Sequence, residues 1–310
     1  MNVQLFTHSN LDGCYLNIIL KALYPKNKVQ IQLANYQSID RSLNQFLNTS
    51  AYQKTDILLI GDLKITDSNL YTKLDVLKES HRKVLLINDR NLDQTPEHSW
   101  IRYADKKNFP SCSSFKLLEM ITKYPKAFGE ITDNQAILKN LKTAVELVRK
   151  HDTWLWQNHP DEDFDMIFYL NRLFRLLGFD GFSQWTIAHD CQLNFEEFSQ
   201  LLKVDQQQFD FYISDHLKHA KLRSPFTVCG QSYRPVVCYA ENYVSELASE
   251  LLRKFLDANV AIIINANRQT VSYRSVDNVN VNDLASQFNG GGLPNAAGGP
   301  LDYKLKALIL

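Results

Sequence analysis

The sequence predicts an α/β protein of two domains, a doubly wound parallel sheet followed by a smaller α/β domain. Three observations predict it. In the first half of the chain, short apolar runs alternate with stretches carrying apolar residues at helical spacing. Those runs end in polar side chains: Val3-Gln4-Leu5-Phe6 leads into Thr7-His8-Ser9-Asn10-Leu11-Asp12-Gly13, Leu58-Leu59-Ile60 into Gly61-Asp62, and Leu85-Leu86-Ile87 into Asn88-Asp89-Arg90. Pro225 then opens a stretch of different character, with several short strands and two helices.

Each element follows from its own residues. The segment 3–6 alternates as a strand, and 14–23 carries apolar positions at helical spacing. A second strand is expected over 28–33 and a helix over 40–46. The runs 55–60 and 83–87 are unbroken apolar after their first one or two residues, as suits parallel strands covered on both faces, with a helix over 68–79 between them that Ser68 can cap. Helices follow over 111–123, with a serine-rich entry, and over 134–150, where apolar residues recur at 138, 141, 145 and 148. The latter runs into His151-Asp152-Thr153-Trp154-Leu155-Trp156. From 161 to about 220 the chain reads as helical and polar. Beyond Pro225, strands are expected over 226–229, 235–239, 260–265 and 270–274, helices over 243–256 and 281–288, and a closing strand over 303–310.

Composition excludes several function classes. The 310 residues carry 34 basic and 34 acidic side chains, so no broad electrostatic grip on long duplex nucleic acid is expected. No apolar run approaches the ~20 residues of a membrane span, and 1–20 lack the pattern of a secretory leader. The cysteines at 14, 112, 191, 229 and 238 are odd in number and unpaired in spacing, which points to reduced thiols in the cytoplasm.

The chemistry-bearing residues collect at strand ends. In an open α/β sheet, ligands bind beyond the carboxyl ends of the strands. His8, Asn10 and Asp12 are spaced two apart, so on an extended segment they point to one side, and Gly13 allows a sharp turn into the next helix. The plain alternative is that such residues cap that helix. With Asp62, Asp89 and Asp152 on the same rim, the set is one imidazole, one amide and four carboxylates. Oxygen-rich sets with a histidine suit manganese or magnesium. Two such ions, ~4 Å apart, can share a bridging aspartate and activate a water against a phosphate.

This order of motifs resembles the DHH phosphoesterases, in particular the branch of short oligoribonucleases and adenosine bisphosphate phosphatases. His8-Ser9-Asn10-Leu11-Asp12-Gly13 is similar to the family's H-x-D-x-D-G, and Asp62 matches its bridging aspartate. Asn88-Asp89-Arg90 stands where the name-giving D-H-H follows its strand, and His151-Asp152-Thr153-Trp154 resembles the motif ending in D-T-W. Gly290-Gly291-Gly292-Leu293-Pro294-Asn295-Ala296-Ala297-Gly298 is similar to the G-G-G-H-x-x-A-A-G of the DHH-associated domain.

The resemblance implies a DHH-type domain over 1–190, a helical connector over 191–224 and a DHH-associated domain with a mixed sheet over 225–310. It implies two manganese ions, with magnesium as the alternative, held by His8, Asn10, Asp12, Asp62, Asp89 and Asp152. Asp62, Asp89 and Arg90 would be catalytic, and Arg90, Arg274, Gly290, Gly291, Gly292 and Leu293 would bind substrate. The activity implied is an oligoribonuclease-like 3′–5′ exonuclease or nucleotide phosphatase, with short RNA or a small nucleotide phosphate as substrate and a second copy of the chain as a candidate partner. Four positions depart from the family pattern: Asn10 replaces an aspartate, Asp89 and Arg90 replace histidines, and Leu293 replaces the histidine at the scissile phosphate. A second reading therefore stands beside the first, a non-catalytic relative that binds a nucleotide, an RNA end or a protein partner.

Overall fold

The computed structural model describes residues 1–79, 83–88, 98–103, 110–153, 155, 164–276 and 278–309. Contacts divide the chain into two compact units, Met1–Leu202 and Lys203–Leu310. Both are α/β, the first with a parallel sheet and the second with a mixed one.

In the first unit, β1 (Asn2–Thr7), β2 (Lys28–Leu33), β3 (Ile57–Gly61), β4 (Lys83–Asn88) and β5 (Ile101–Tyr103) lie in the order β2-β1-β3-β4-β5, and every neighbouring pair is parallel. Alternation along each strand splits its apolar residues between two cores. Leu5, Ile57, Leu59, Leu85 and Ile87 face α1 (Leu11–Leu23), α5 (Ser113–Lys123), α6 (Gln135–Asp152) and α7 (Phe164–Ala188). Phe6, Leu58, Ile60, Val84 and Leu86 face the other side, toward α2 (Ile39–Leu47) and α4 (Ser68–Glu79). A one-turn α3 (Ser50–Gln53) and the short β5 lie outside the elements read from sequence, being too brief for a periodic signal. Ser68 lies inside the first turn of α4, whose Asn69 N–H is instead taken by Asp67 at 2.9 Å. Helix α7 is kinked at Gly178, where φ is 69°. After Ala188 the chain leaves the helix, makes a 3-10 turn over Glu196–Phe198 and continues as α8 (Ser199–His219).

In the second unit β6 (Lys221–Leu222), β9 (Pro235–Tyr239), β10 (Val260–Asn265), β11 (Thr270–Ser275), β12 (Gly291–Leu293) and β13 (Ala296–Pro300) form a sheet ordered β12-β13-β11-β10-β9-β6. Only β9 and β10 run parallel. A separate hairpin pairs β7 (Phe226–Val228) with β8 (Gln231–Tyr233). One face packs on α10 (Val281–Ser286) and α11 (Tyr303–Ile309), the other on α8 and α9 (Val244–Lys254). The closing strand expected over 303–310 is a helix instead. Leu305 and Ile309, four residues apart, are the buried positions, and Leu308 between them is exposed.

All five cysteines are free thiols. Among the described residues, no helix is long and apolar enough to cross a membrane.

Candidate functional site

The sheet order places β1 between β2 and β3, so the chain winds one way from β1 to β2 and the other way from β3 onward. The carboxyl ends of β1 and β3 therefore flank the crevice in which doubly wound sheets take ligands. Thr7 pairs with Gly61 at the last rung, so the next residues, His8 and Asp62, leave the sheet side by side.

Asn10 is the N-cap of α1. Its Oδ1 accepts the Gly13 N–H at 2.8 Å and its Nδ2 donates to Asp62 Oδ2 at 2.6 Å. The cap starts the helix at Leu11, three residues before the Cys14 expected from sequence. Asp12 is therefore helical, and the extended spacing that would align it with His8 and Asn10 ends at the cap. Gly13 is required by close approach: a Cβ there would lie 2.1 Å from the His8 carbonyl oxygen.

Asp12 is 1 % exposed, and its two oxygens accept the Ser113 and Ser114 N–H groups at 2.9 and 2.8 Å. It thus ties the first turn of α1 to that of α5, where the helix dipole favours an anion. Ser113 continues the network, accepting the Asp62 N–H at 3.2 Å and donating to the Ile87 carbonyl at 3.3 Å. Ser113 and Ser114 have no place in the motif reading. Their only trace in the sequence is the serine-rich helix entry.

Asp62 is 2 % exposed and has φ of 55°, a left-handed conformation that aspartate tolerates better than most residues. His8 is half-buried and stacks on Tyr36, with ring centroids 5.6 Å apart. Its Nδ1 is buried with no hydrogen-bond partner, and desolvation lowers its pKa, which keeps the imidazole neutral. No sequence signal marked Tyr36. Asp152 ends α6, and together with Asp12 it lies close enough to the buried Cys112 to help burial push that thiol's pKa up. Desolvation pushes its neighbour His151 down to about 4. Asp89 and Arg90 lie outside the described residues, as do Trp154 and Trp156.

In the second unit, Leu293, Ala296 and Arg274 share one rung across β12, β13 and β11. Arg274 is half-buried and donates to Ser245 Oγ at 2.9 Å and to its neighbour's carbonyl at 2.8 Å. The Gly290–Gly299 run forms a hairpin packed backbone on backbone. A Cβ on Gly290 would lie 2.4 Å from the Gly298 oxygen, and one on Gly299 would lie 2.7 Å from the Gly290 Cα. Leu293 is exposed at its tip.

Whether these residues suit a divalent ion can be judged from their polar atoms. The unpaired His8 Nδ1 and the buried Asp62 carboxylate fit one in kind. They do not fit a two-ion set in number. Asp12 is turned onto α5, Asn10 presents an N–H to Asp62, and among the described residues no three His, Cys, Asp or Glu side chains group as a metal centre.

No family model matches the chain. It is 24% identical over 308 residues to oligoribonuclease NrnB of Bacillus subtilis, covering 95% of this chain and 72% of that protein. The resemblance to the DHH phosphoesterases is borne out. The fold agrees with two solved structures. The exonuclease RecJ bound to manganese superposes with a TM-score of 0.60 at 14% identity, covering 98% of this chain and 86% of that one. A pGpG-specific phosphodiesterase, PggH of Vibrio cholerae, gives 0.50 at 14%, covering 98% and 95%. Of the DHH-type positions, the structure brings His8, Asn10 and Asp62 to one corner of the first sheet and turns Asp12 beside it into the α5 network.

Proposed function

We propose that this chain is a phosphoesterase that cleaves short oligoribonucleotides in the cytoplasm, with His8 and Asp62 at the β1/β3 crevice as its reacting corner. The observation that carries the reading is the buried, unpartnered Nδ1 of a neutral His8 at the end of β1, the strand whose neighbour β3 ends at the buried Asp62. An orphaned ring nitrogen is costly unless something else takes its hydrogen bond, and a ligand is the natural candidate. In this corner a neutral imidazole can accept a proton or donate a lone pair, and Asp62 can hold a water or a cation against phosphorus. Arg274 and the glycine hairpin suit a phosphate, since a guanidinium grips it in a fork and bare backbone can approach closely.

Support for the substrate class comes from the relative named as an oligoribonuclease and from the balanced charge, which disfavours long duplex. A divalent ion, manganese before magnesium, would supply a polarised water and charge neutralisation, with His8 and Asp62 as its first donors and Asp152 and Asp89 as further candidates.

A second reading, of a chain that binds RNA ends or a partner without cleaving, is favoured by one observation: Asn10 offers Asp62 an N–H where a catalytic set would offer another acceptor. Incubation of the full chain with two- to five-nucleotide RNA, a nucleotide 3′,5′-bisphosphate and a long duplex, each with manganese, separates the two. Mononucleotides released from the short RNA are expected. Tight binding of that RNA with no product would instead establish the second reading.

A further inference from the structure

The Asn10 side chain is held at both ends, and this decides what it can do for a cation. Oδ1 faces the Gly13 N–H at 2.8 Å, so the opposite end of the amide must be nitrogen, and that nitrogen lies 2.6 Å from Asp62 Oδ2. An exchange of the two ends would break the helix cap and set an oxygen against a carboxylate oxygen. We propose that the Asn10 amide stands in for a cation at Asp62, so that this side of the corner keeps its shape without a divalent ion and the chain takes up one ion fewer than a carboxylate at this position would require. The proposal rests on the phosphoesterase reading only in treating the corner as the reacting site.

Two carboxylate oxygens at 2.6 Å repel, and such a pair persists only if it captures a proton or a metal ion between its members. A neutral amide makes the same contact attractive, with a hydrogen bond to an ionised acceptor, which is stronger than a neutral one. The Asp62 carboxylate has little access to solvent, and the Asn10 amide gives this buried charge a hydrogen bond that is present with or without an ion. Asn10 is thus a positioning residue. It fixes Asp62 through one end while its other end starts α1, so strand β3 and helix α1 are joined without metal.

The test uses the full chain, stripped with a chelator, and manganese as the probe. Thermal unfolding is recorded with chelator and with manganese, and bound manganese per chain is counted by elemental analysis, for wild type and Asn10→Asp. The expected result is that Asn10→Asp melts about 5 °C or more below wild type in chelator, gains more from manganese than wild type does, and binds one more ion per chain. Equal manganese-induced shifts in the two proteins, or an unchanged ion count, would overturn the proposal. Should Asn10→Asp not fold in either condition, Asn10→Ser decides. Its hydroxyl keeps the cap but leaves Asp62 without the amide, so a larger manganese response than wild type supports the proposal and an identical one overturns it. Neither readout involves substrate, so failure here is distinct from failure to cleave RNA.

Discussion

Asp62 carries two demands at once, a left-handed backbone and a buried carboxylate. Alanine would meet neither and would add about 1–2 kcal/mol of backbone strain, whereas asparagine keeps shape and conformation and removes only charge. Asp12, by contrast, serves the frame. Replacing it with asparagine turns an N–H donor toward one of the two helix N–H groups it now satisfies, so Asp12→Asn should lower stability by about 1–3 kcal/mol. Urea unfolding of the pair measures this, and a change within about 0.5 kcal/mol would mean that the α1–α5 tie carries no weight. The sequence singled out positions 8, 10, 12 and 62 but not their partners. Ser113 and Ser114 lie 101 and 102 residues beyond Asp12 in the chain, and nothing in local spacing announces that pairing.

At the level of elements, legibility followed burial. Strands β3 and β4 are buried on both faces and so read as continuous apolar runs, while helices α6 and α9 carry their apolar residues on one face. The C-terminal segment is a helix where its sequence suggests a strand, because a short apolar run fits either, and only burial four residues apart settles which. That periodicity has a consequence for stability. Leu305→Ala should cost about 2–5 kcal/mol, while Leu308→Ala should stay within about 0.5 kcal/mol. Comparable losses in thermal unfolding of the two variants would contradict the helix. The glycine hairpin was legible as a tight backbone, yet its packing of Gly290 on Gly298 and Gly299 is a tertiary fact.

For the whole molecule, the proposed site depends on where winding reverses. The reversal sets the ends of β1 and β3 side by side, so two residues more than fifty positions apart in the chain share one corner. The Leu293 and Arg274 rung shows the same principle in the second unit, where three strands align residues from separate segments. Balanced charge limits long-range attraction to nucleic acid, which on the proposed function leaves recognition to local contacts and favours short substrates. A reacting corner requires that the carboxylate at the crevice act in catalysis. Single-turnover cleavage of a diribonucleotide by wild type and Asp62→Asn, in saturating manganese and with matched melting curves, measures that contribution. The wild type should cleave, and the variant should be slower by about 100-fold or more, the scale on which removing one group that stabilises developing charge is felt. Equal rates in the two proteins would contradict the assignment of this corner as the reacting site.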